Sequence, residues 1–443
     1  MNRLPATLTQ LQRRLADGQL SVPEALRLQR ERFTRRQTAH GCVVRALDAR
    51  SPAGADAATN GTLTGIALAH KDIFDLAGWT PGLGHSQGLT DTNRQPAPAI
   101  AMLARAGATQ LATLTMAEYA CGSTSHNPRM PAVANPLGQQ LAVGGSSSGS
   151  AVAVASELVY GALGTDTAGS VRIPAATCGL LGLKTTHGLI PTQGVHPLAP
   201  SLDSVGLLTR SAGDARAMLA ALTAPGDLHE AVSAPRLKAW LPEDRLDVSV
   251  AAALQDFARQ WPACERMHLL PELPLLTALS EIVLHHEAAA THHAGLCRGS
   301  LSGGVEAVAL PGLVIPADWY RAALQDRMQR ARAFFAAHLQ QHDLLMLPAL
   351  PQPLPDRAVV TPGEPGFDVR QLLSLHSFMG FVNYLGFPSM VIPIAIDARG
   401  LPISAQFIAR PFQEQTLLTF ANEVELERFG SDGFTRRFTH LQD

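Results

Sequence analysis

Residues Gly144 to Lys184 read GGSSSGSAVAVASELVYGALGTDTAGSVRIPAATCGLLGLK, and this stretch decides how the rest of the chain is read. It sets two Gly-flanked serine sites, Gly145-Ser146-Ser147-Ser148-Gly149 and Thr167-Ala168-Gly169-Ser170, on either side of an Ala/Val-rich run. A serine hydroxyl is a weak nucleophile until a base takes its proton. Upstream, Gly65-Ile-Ala-Leu-Ala-His-Lys71-Asp72 places one lysine after an apolar run, where burial disfavours the ammonium form. Serines on Gly loops, whose backbone N–H groups can converge on one cavity, and a lysine kept neutral are the groups that acyl transfer needs.

The stretch resembles the signature of the amidase signature family of serine hydrolases: roughly GGSSGGS, then G(T/S)DxGGS(I/V)RxPA, then CG(x)xGLKPT. Ser146 and Ser170 stand 24 positions apart, as that pattern requires, and Gly65 to Asp72 resembles the family's GIPxxVKD. Carried over position by position, the resemblance implies Ser170 as nucleophile and Lys71 as base. It implies Ser146, preceded by a cis peptide, as the serine bridging the two. The N–H groups of Thr167, Ala168, Gly169 and Ser170 would form the oxyanion hole, and Asp166 and Arg172 would brace the loop. Ser147 is expected to hydrogen-bond Lys71. Residues near Cys121–Thr124 (Cys121, Gly122 and Ser123 foremost) are expected in the substrate pocket. Further segments have family counterparts: Met116-Ala-Glu118-Tyr-Ala-Cys-Gly122, the Asn-Pro pairs at 127 and 135, Pro197 to Gly206, and Asn383-Tyr-Leu-Gly386-Phe-Pro388 with Gln406. The chain departs from the pattern with Ser148 and Ala168 in place of Gly, Thr185 in place of Pro, and Ser404-Ala405 in place of a Gly-containing pair.

The implied fold is α/β: a large mixed, mostly parallel β-sheet between helical layers, in a single domain. Residues 1–62 would form an N-terminal helical segment packed on a catalytic unit over 63–443, with 223–320 shaping the substrate site. The residue pattern agrees with alternating elements. Helix is expected over 7–50, with Ser21-Val-Pro-Glu24 as a capping-box start, followed by a polar loop over 51–62. Strands are expected over 65–74, 109–114, 159–165, 344–347 and 389–396, and helices over 97–106, 151–156, 275–291 and 319–342. The stretch 348–365 reads as a Pro-rich loop.

Of 443 residues, 46% are apolar and 16% charged, with a net charge of −2. That favours a large core and provides no basic field for nucleic acid or anionic membrane. Five scattered cysteines without CxxC spacing argue against a disulfide framework or a zinc site. No apolar leader or membrane-length run is read, so a cytoplasmic enzyme is expected. His285, His286, His292 and His293 share helix faces only at i,i+7, about 10 Å apart along the axis. One metal cannot bridge that distance, and no metal or cofactor is expected. Gly145 to Gly149 also fits GxSxG, which would make Ser147 the nucleophile of an α/β-hydrolase esterase, but that leaves Lys71 and the Thr167 to Ser170 loop unused.

The function implied is hydrolysis of a small carboxamide to a carboxylate and ammonia or amine, through a Ser-Ser-Lys triad and an acyl-enzyme. The expected partner is the amide substrate alone, with a homodimer allowed for. The alternative is the glutaminase (A) subunit of a tRNA-dependent amidotransferase, which passes ammonia to a partner. A non-catalytic scaffold would require a lost catalytic group, and all three are present.

Overall fold

The computed structural model describes residues 4–47, 60–85, 94–261, 263–434 and 438. Its strands, in chain order, are β1 Val43–Ala46, β2 Ala67–Lys71, β3 Thr109–Leu114, β4 Gly161–Asp166, β5 Leu181–Lys184, β6 Ser204–Thr209, β7 Leu237–Trp240, β8 Glu265–Met267, β9 Leu344–Pro348, β10 Ser389–Ile396 and β11 Pro402–Ala409. They form one 11-stranded sheet in the order β1-β3-β2-β4-β6-β5-β10-β11-β9-β7-β8. The sheet is mixed. Parallel pairing joins β2 to β3 and β4, and β7 to β8 and β9. The run β4-β6-β5-β10-β11-β9 between them is antiparallel, so parallel pairing is confined to the flanks rather than forming the expected majority. The link from β10 to β11 shows why: five residues can close a hairpin but cannot cross over a sheet.

Along β2 and β4 the two faces of this sheet differ in side-chain size. Ala67, Ala69, Ala162 and Leu208 face one core with the helix Ser148–Ala155, while Leu68, Leu163, Val205 and Leu207 face the other with Met218 and Leu219 of the helix Ala212–Ala221. This is the period-2 alternation of strands buried on both sides. All eight residues of Ser148–Ala155, SGSAVAVA, are buried. Small side chains let this helix lie close to the alanine face, which brings the residues before it, Gly145 to Ser147, toward the strands β2 and β4. The long helices Leu273–Arg298 and Ala317–His338 pack with Gly380–Leu385 around a third core that includes Leu345, Leu347 and Ile408.

Within 7–50 the structure has helices Leu8–Ala16 and Val22–Arg36, then strand β1 rather than more helix. The chain turns at Gly41 (φ 66°), and Val43, Arg45 and Ala46 then pair antiparallel with β3, the register shifting between Val43 and Arg45. Ser21 caps the second helix by accepting from Glu24 N, but the reciprocal capping box is at Thr7–Gln10. Residues 48–59, and so most of the expected polar loop, lie outside the described residues. The Pro-rich stretch contains a helical turn, Arg357–Val360, and Ala142 N donates to its Pro355 carbonyl at 2.9 Å.

Candidate active site

Lys71 ends β2 at the sheet edge where the chain turns into a loop, and its side chain is 1% exposed. Its ammonium donates to Ser146 Oγ at 2.7 Å and to Thr165 Oγ1 at 2.8 Å. Burial pulls the lysine down to about 7, although Asp203 and Asp166 oppose the shift. Asp72 is turned elsewhere: its carboxylate accepts from Gly82 N at 2.9 Å and is itself raised to about 6, chiefly by burial. The neighbour best placed in sequence to pin Lys71 as an ammonium therefore does not do so.

Ser146 follows a cis peptide after Gly145, is 0% exposed, and its carbonyl accepts from Ala117 N at 3.2 Å. Gly145 must be glycine: a Cβ there would lie 2.1 Å from the Thr124 carbonyl oxygen. Ser170 is 8% exposed, whereas Lys71 and Ser146 are sealed. Ser147 N donates to the Ser170 carbonyl at 3.1 Å, which ties the two serine loops together. The Ser147 hydroxyl donates to the Thr165 carbonyl at 3.3 Å rather than bonding Lys71, and the position expected for it is filled by Thr165 Oγ1. Sequence reasoning does not single out Thr165, whose one signal is its place on a buried strand next to Asp166.

The Thr167–Ser170 loop is held from below. The Asp166 carboxylate accepts from Gly169 N (2.9 Å), Val171 N (3.1 Å), Arg172 Nε (3.0 Å) and Arg172 Nη2 (2.8 Å). Burial alone would raise this carboxyl; the Arg172 guanidinium and the N–H donors hold it well below the usual range. Arg172, fully buried, also bonds Gln406 Oε1 and Asn383 Oδ1, and Asn383 Nδ2 donates back to the Asp166 carbonyl at 2.7 Å. Thr167 is anchored by its hydroxyl to Asp203 at 2.6 Å. Asp203, Asn383 and Gln406 lie in motifs that the sequence matches without assigning them a role, because their function is to hold other side chains.

This bracing corrects one expectation. Gly169, at φ 110°, gives its N–H to Asp166 and not to the cavity. Among the described residues, no acceptor is bonded to the N–H groups of Thr167, Ala168 and Ser170. Ala168 does not adopt a positive φ, so its methyl in place of Gly carries no backbone strain.

Cys121 is buried with its thiol on the Tyr119 carbonyl (3.7 Å), and burial pushes the thiol far up, away from nucleophilic form. Ser123 flanks Ser146 through Gly145 N, which donates to its carbonyl at 2.9 Å. Gly122, at φ 149°, joins the two. The four histidines of the long helix go to separate places. His285 bonds the Val308 carbonyl, His286 stacks on Tyr320, His292 packs on Tyr119, and His293 meets Cys297. Among the described residues no group of three His, Cys, Asp or Glu side chains could hold a metal ion, and no helix is long and apolar enough to cross a membrane.

The family model Amidase matches residues 29–261 and 314–418. The chain is 31% identical over 406 residues to "Amidase 1" of Oryza sativa subsp. japonica, covering 82% of this chain and 90% of that protein. It is 29% identical over 479 residues to the A subunit of the glutamyl-tRNA(Gln) amidotransferase of Chromobacterium violaceum, covering 95% and 97%. It is 42% identical over 212 residues to "Indoleacetamide hydrolase" of Pseudomonas syringae pv. syringae, covering 47% of each. A crystal structure of an amidase superposes with TM-score 0.82 at 27% identity, over 95% of this chain and 99% of that one. With this match over most of its length, the chain belongs to the amidase signature family and is an amide-hydrolysing enzyme.

Proposed function

We propose that the chain hydrolyses a small carboxamide through Ser170, Ser146 and Lys71. The observation that carries this reading is the 2.7 Å bond from Lys71 Nζ to Ser146 Oγ inside a sealed pocket. Neutral Lys71 draws the proton of Ser170 through the Ser146 hydroxyl, and Ser170 Oγ attacks the amide carbon. The N–H groups of Thr167, Ala168 and Ser170 receive the oxyanion, with Gly169 holding the loop shape through Asp166. The proton returns through Ser146 to the leaving nitrogen, ammonia or amine departs, and water cleaves the acyl-enzyme by the reverse route. No step calls for a metal or cofactor.

The segment 223–320 is proposed to shape the substrate site, supported by Ser280 of its long helix. A Cβ at Gly380 would lie 3.0 Å from Ser280 Oγ and 3.7 Å from Ala168 Cβ. Cys121, Gly122 and Ser123 are assigned to the same pocket. A cytoplasmic setting is supported by five free thiols. The indoleacetamide hydrolase name makes arylacetamides the first amides to try. The likeness to the glutaminase (A) component of amidotransferases keeps a second reading, in which ammonia is passed to a partner protein.

The test is labelling with a fluorophosphonate followed by peptide mapping, alongside ammonia release from a panel of amides by the chain alone. We expect the adduct on Ser170. An adduct on Ser147 would replace this mechanism with the GxSxG one. Ammonia release only in the presence of co-purifying partners would favour the amidotransferase reading.

A further inference from the structure

One polar side-chain pair next to the two serine loops has no part in the chemistry above. Ser123 Oγ and His376 Nδ1 share a hydrogen bond of 3.1 Å. Ser123 lies against the bridging-serine loop, since Gly145 N donates to its carbonyl and Thr124 pairs with Gly144. His376 lies against the nucleophile loop by way of Met379. Met379 N donates to the His376 carbonyl at 3.0 Å, and a Cβ at Gly169 would meet Met379 Cβ and Cγ at 2.8 Å. The pair therefore spans from the Ser146 loop to the Ser170 loop. The imidazole is half-buried, its Nδ1 is taken, and no group among the described residues is bonded to Nε2. Burial, with His285 adding, lowers its pKa and so favours the neutral ring.

Ser280 and Met379, which lie by the same loop, are uncharged, and the neighbouring His285 is bonded to the Val308 carbonyl. The nearby carboxylates are already engaged. Asp166 is held by Arg172 and backbone N–H groups, Asp203 by Thr167 and two backbone N–H groups, and Glu118 by Arg129. A substrate ammonium entering here would shed water and meet no free carboxylate, and such a burial is costly. A neutral polar group would find the imidazole Nε2 as a hydrogen-bond partner.

We propose that His376, oriented by Ser123, is a specificity-determining residue that selects neutral carboxamides and turns away those carrying an ammonium group on the acyl chain. This rests on the amide-hydrolysis reading and narrows its substrate class.

The test uses isosteric pairs in the full-length protein near neutral pH. Pentanamide and 4-aminobutanamide differ only by methyl against ammonium, and fluorophosphonates bearing the same two tails read the pocket without turnover. For wild type we expect kcat/KM and inactivation rate to favour the neutral member by about 100-fold, roughly 2.8 kcal/mol at 1.4 kcal/mol per tenfold. His376→Asp should shrink that ratio at least tenfold. His376→Asn, which is uncharged, should lower both rates and leave the ratio in place, and this separates charge reading from loss of packing. Ser123→Ala should raise KM for pentanamide more than it lowers kcat. A ratio within twofold of wild type in a His376→Asp protein that still takes up the probe would overturn the proposal alone. Failure of wild type to react with either probe or any amide would overturn the hydrolase reading, and this proposal with it.

Discussion

At the scale of single residues, the proposed mechanism depends on keeping one lysine neutral while it stays hydrogen-bonded. A free lysine titrates near 10.4, so about one in a thousand is neutral at pH 7.5; burial brings Lys71 to about 7. Activity should therefore climb with pH through about 7 and level off above it. Lys71→Ala should remove both the limb and most of the rate. Thr165→Val tests the arrangement more finely. Removing an acceptor from the ammonium form lowers the lysine's pKa further, so the limb should move to lower pH. The plateau should fall about tenfold, because Nζ loses half of its aim. A kcat/KM pH profile reads both; a limb that moved upward would mean Thr165 does not stabilise the charged lysine. A second residue-scale prediction concerns Ser148, whose hydroxyl is buried without a hydrogen-bond partner among the described residues. Ser148→Ala removes a polar group left dry, and should be neutral or stabilising by about 1 kcal/mol in chemical denaturation. Part of this layer is legible in the sequence: Lys71 and Ser146, picked out there, are hydrogen-bonded in the structure, and the proposed mechanism gives them and Ser170 roles that lie in their own side chains. Thr165 is not: its role follows from parallel β2 and β4 lying side by side, which no local pattern states.

At the scale of elements, the loop after β4 is positioned by a helix that arrives more than two hundred residues later. Asn383, in the helix Gly380–Leu385, bonds the Asp166 carbonyl, the Asp166 carboxylate and Arg172, all fully buried. Asn383→Ala strips partners from a buried ion pair, which costs about 2 to 4 kcal/mol by the usual penalty for breaking such networks. A loop displaced by about 1 Å loses on the order of 100-fold in rate. We therefore expect kcat to fall far more than KM changes. Gln406→Ala, which removes another Arg172 partner, should be non-additive with Asn383→Ala in both stability and kcat, since the two share one guanidinium. Strict additivity in a double-mutant cycle would show that the brace is not a unit. Elements are legible where burial pattern and length agree: β3 and β10 fall on the expected residues 109–114 and 389–396. Strands of three or four residues such as β5, β7 and β8 present too short a period to be told from loop, and they exist because longer neighbours offer open edges. The mixed order of the sheet is hidden for the same reason, as it is fixed by which edges are free when each strand arrives.

At the scale of the whole molecule, the N-terminal helix, the helix Ala212–Ala221 and the C-terminal helix Glu414–Arg428 meet at two buried carboxyls. Asp214, 0% exposed, accepts from Thr9 N at 3.1 Å, at the start of the helix Leu8–Ala16. Glu425 accepts from Ala212 N at 2.8 Å, and burial, with Asp214 adding, pushes it up to about 8. The sign follows from linkage. Glu425 titrates near 4.3 in the unfolded chain, so below that pH both states are protonated and its full contribution is present. As pH rises toward 8 the unfolded state ionises while the folded state stays protonated, and stability is lost across that window. At 1.36 kcal/mol per pH unit across the window from about 4.3 to about 8, the loss is on the order of 5 kcal/mol at pH 8 and above. Glu425→Gln keeps a carbonyl oxygen for Ala212 N and removes the proton that must be held. The variant should therefore match wild type near pH 4.5 and exceed it by a widening margin up to pH 8.5, in urea denaturation read across that range. The difference between the two proteins cancels every other titrating group that the substitution leaves alone. A constant gap at all pH values would mean that the Glu425 carboxyl ionises alike in both states, and that the junction of these three helices does not depend on its proton.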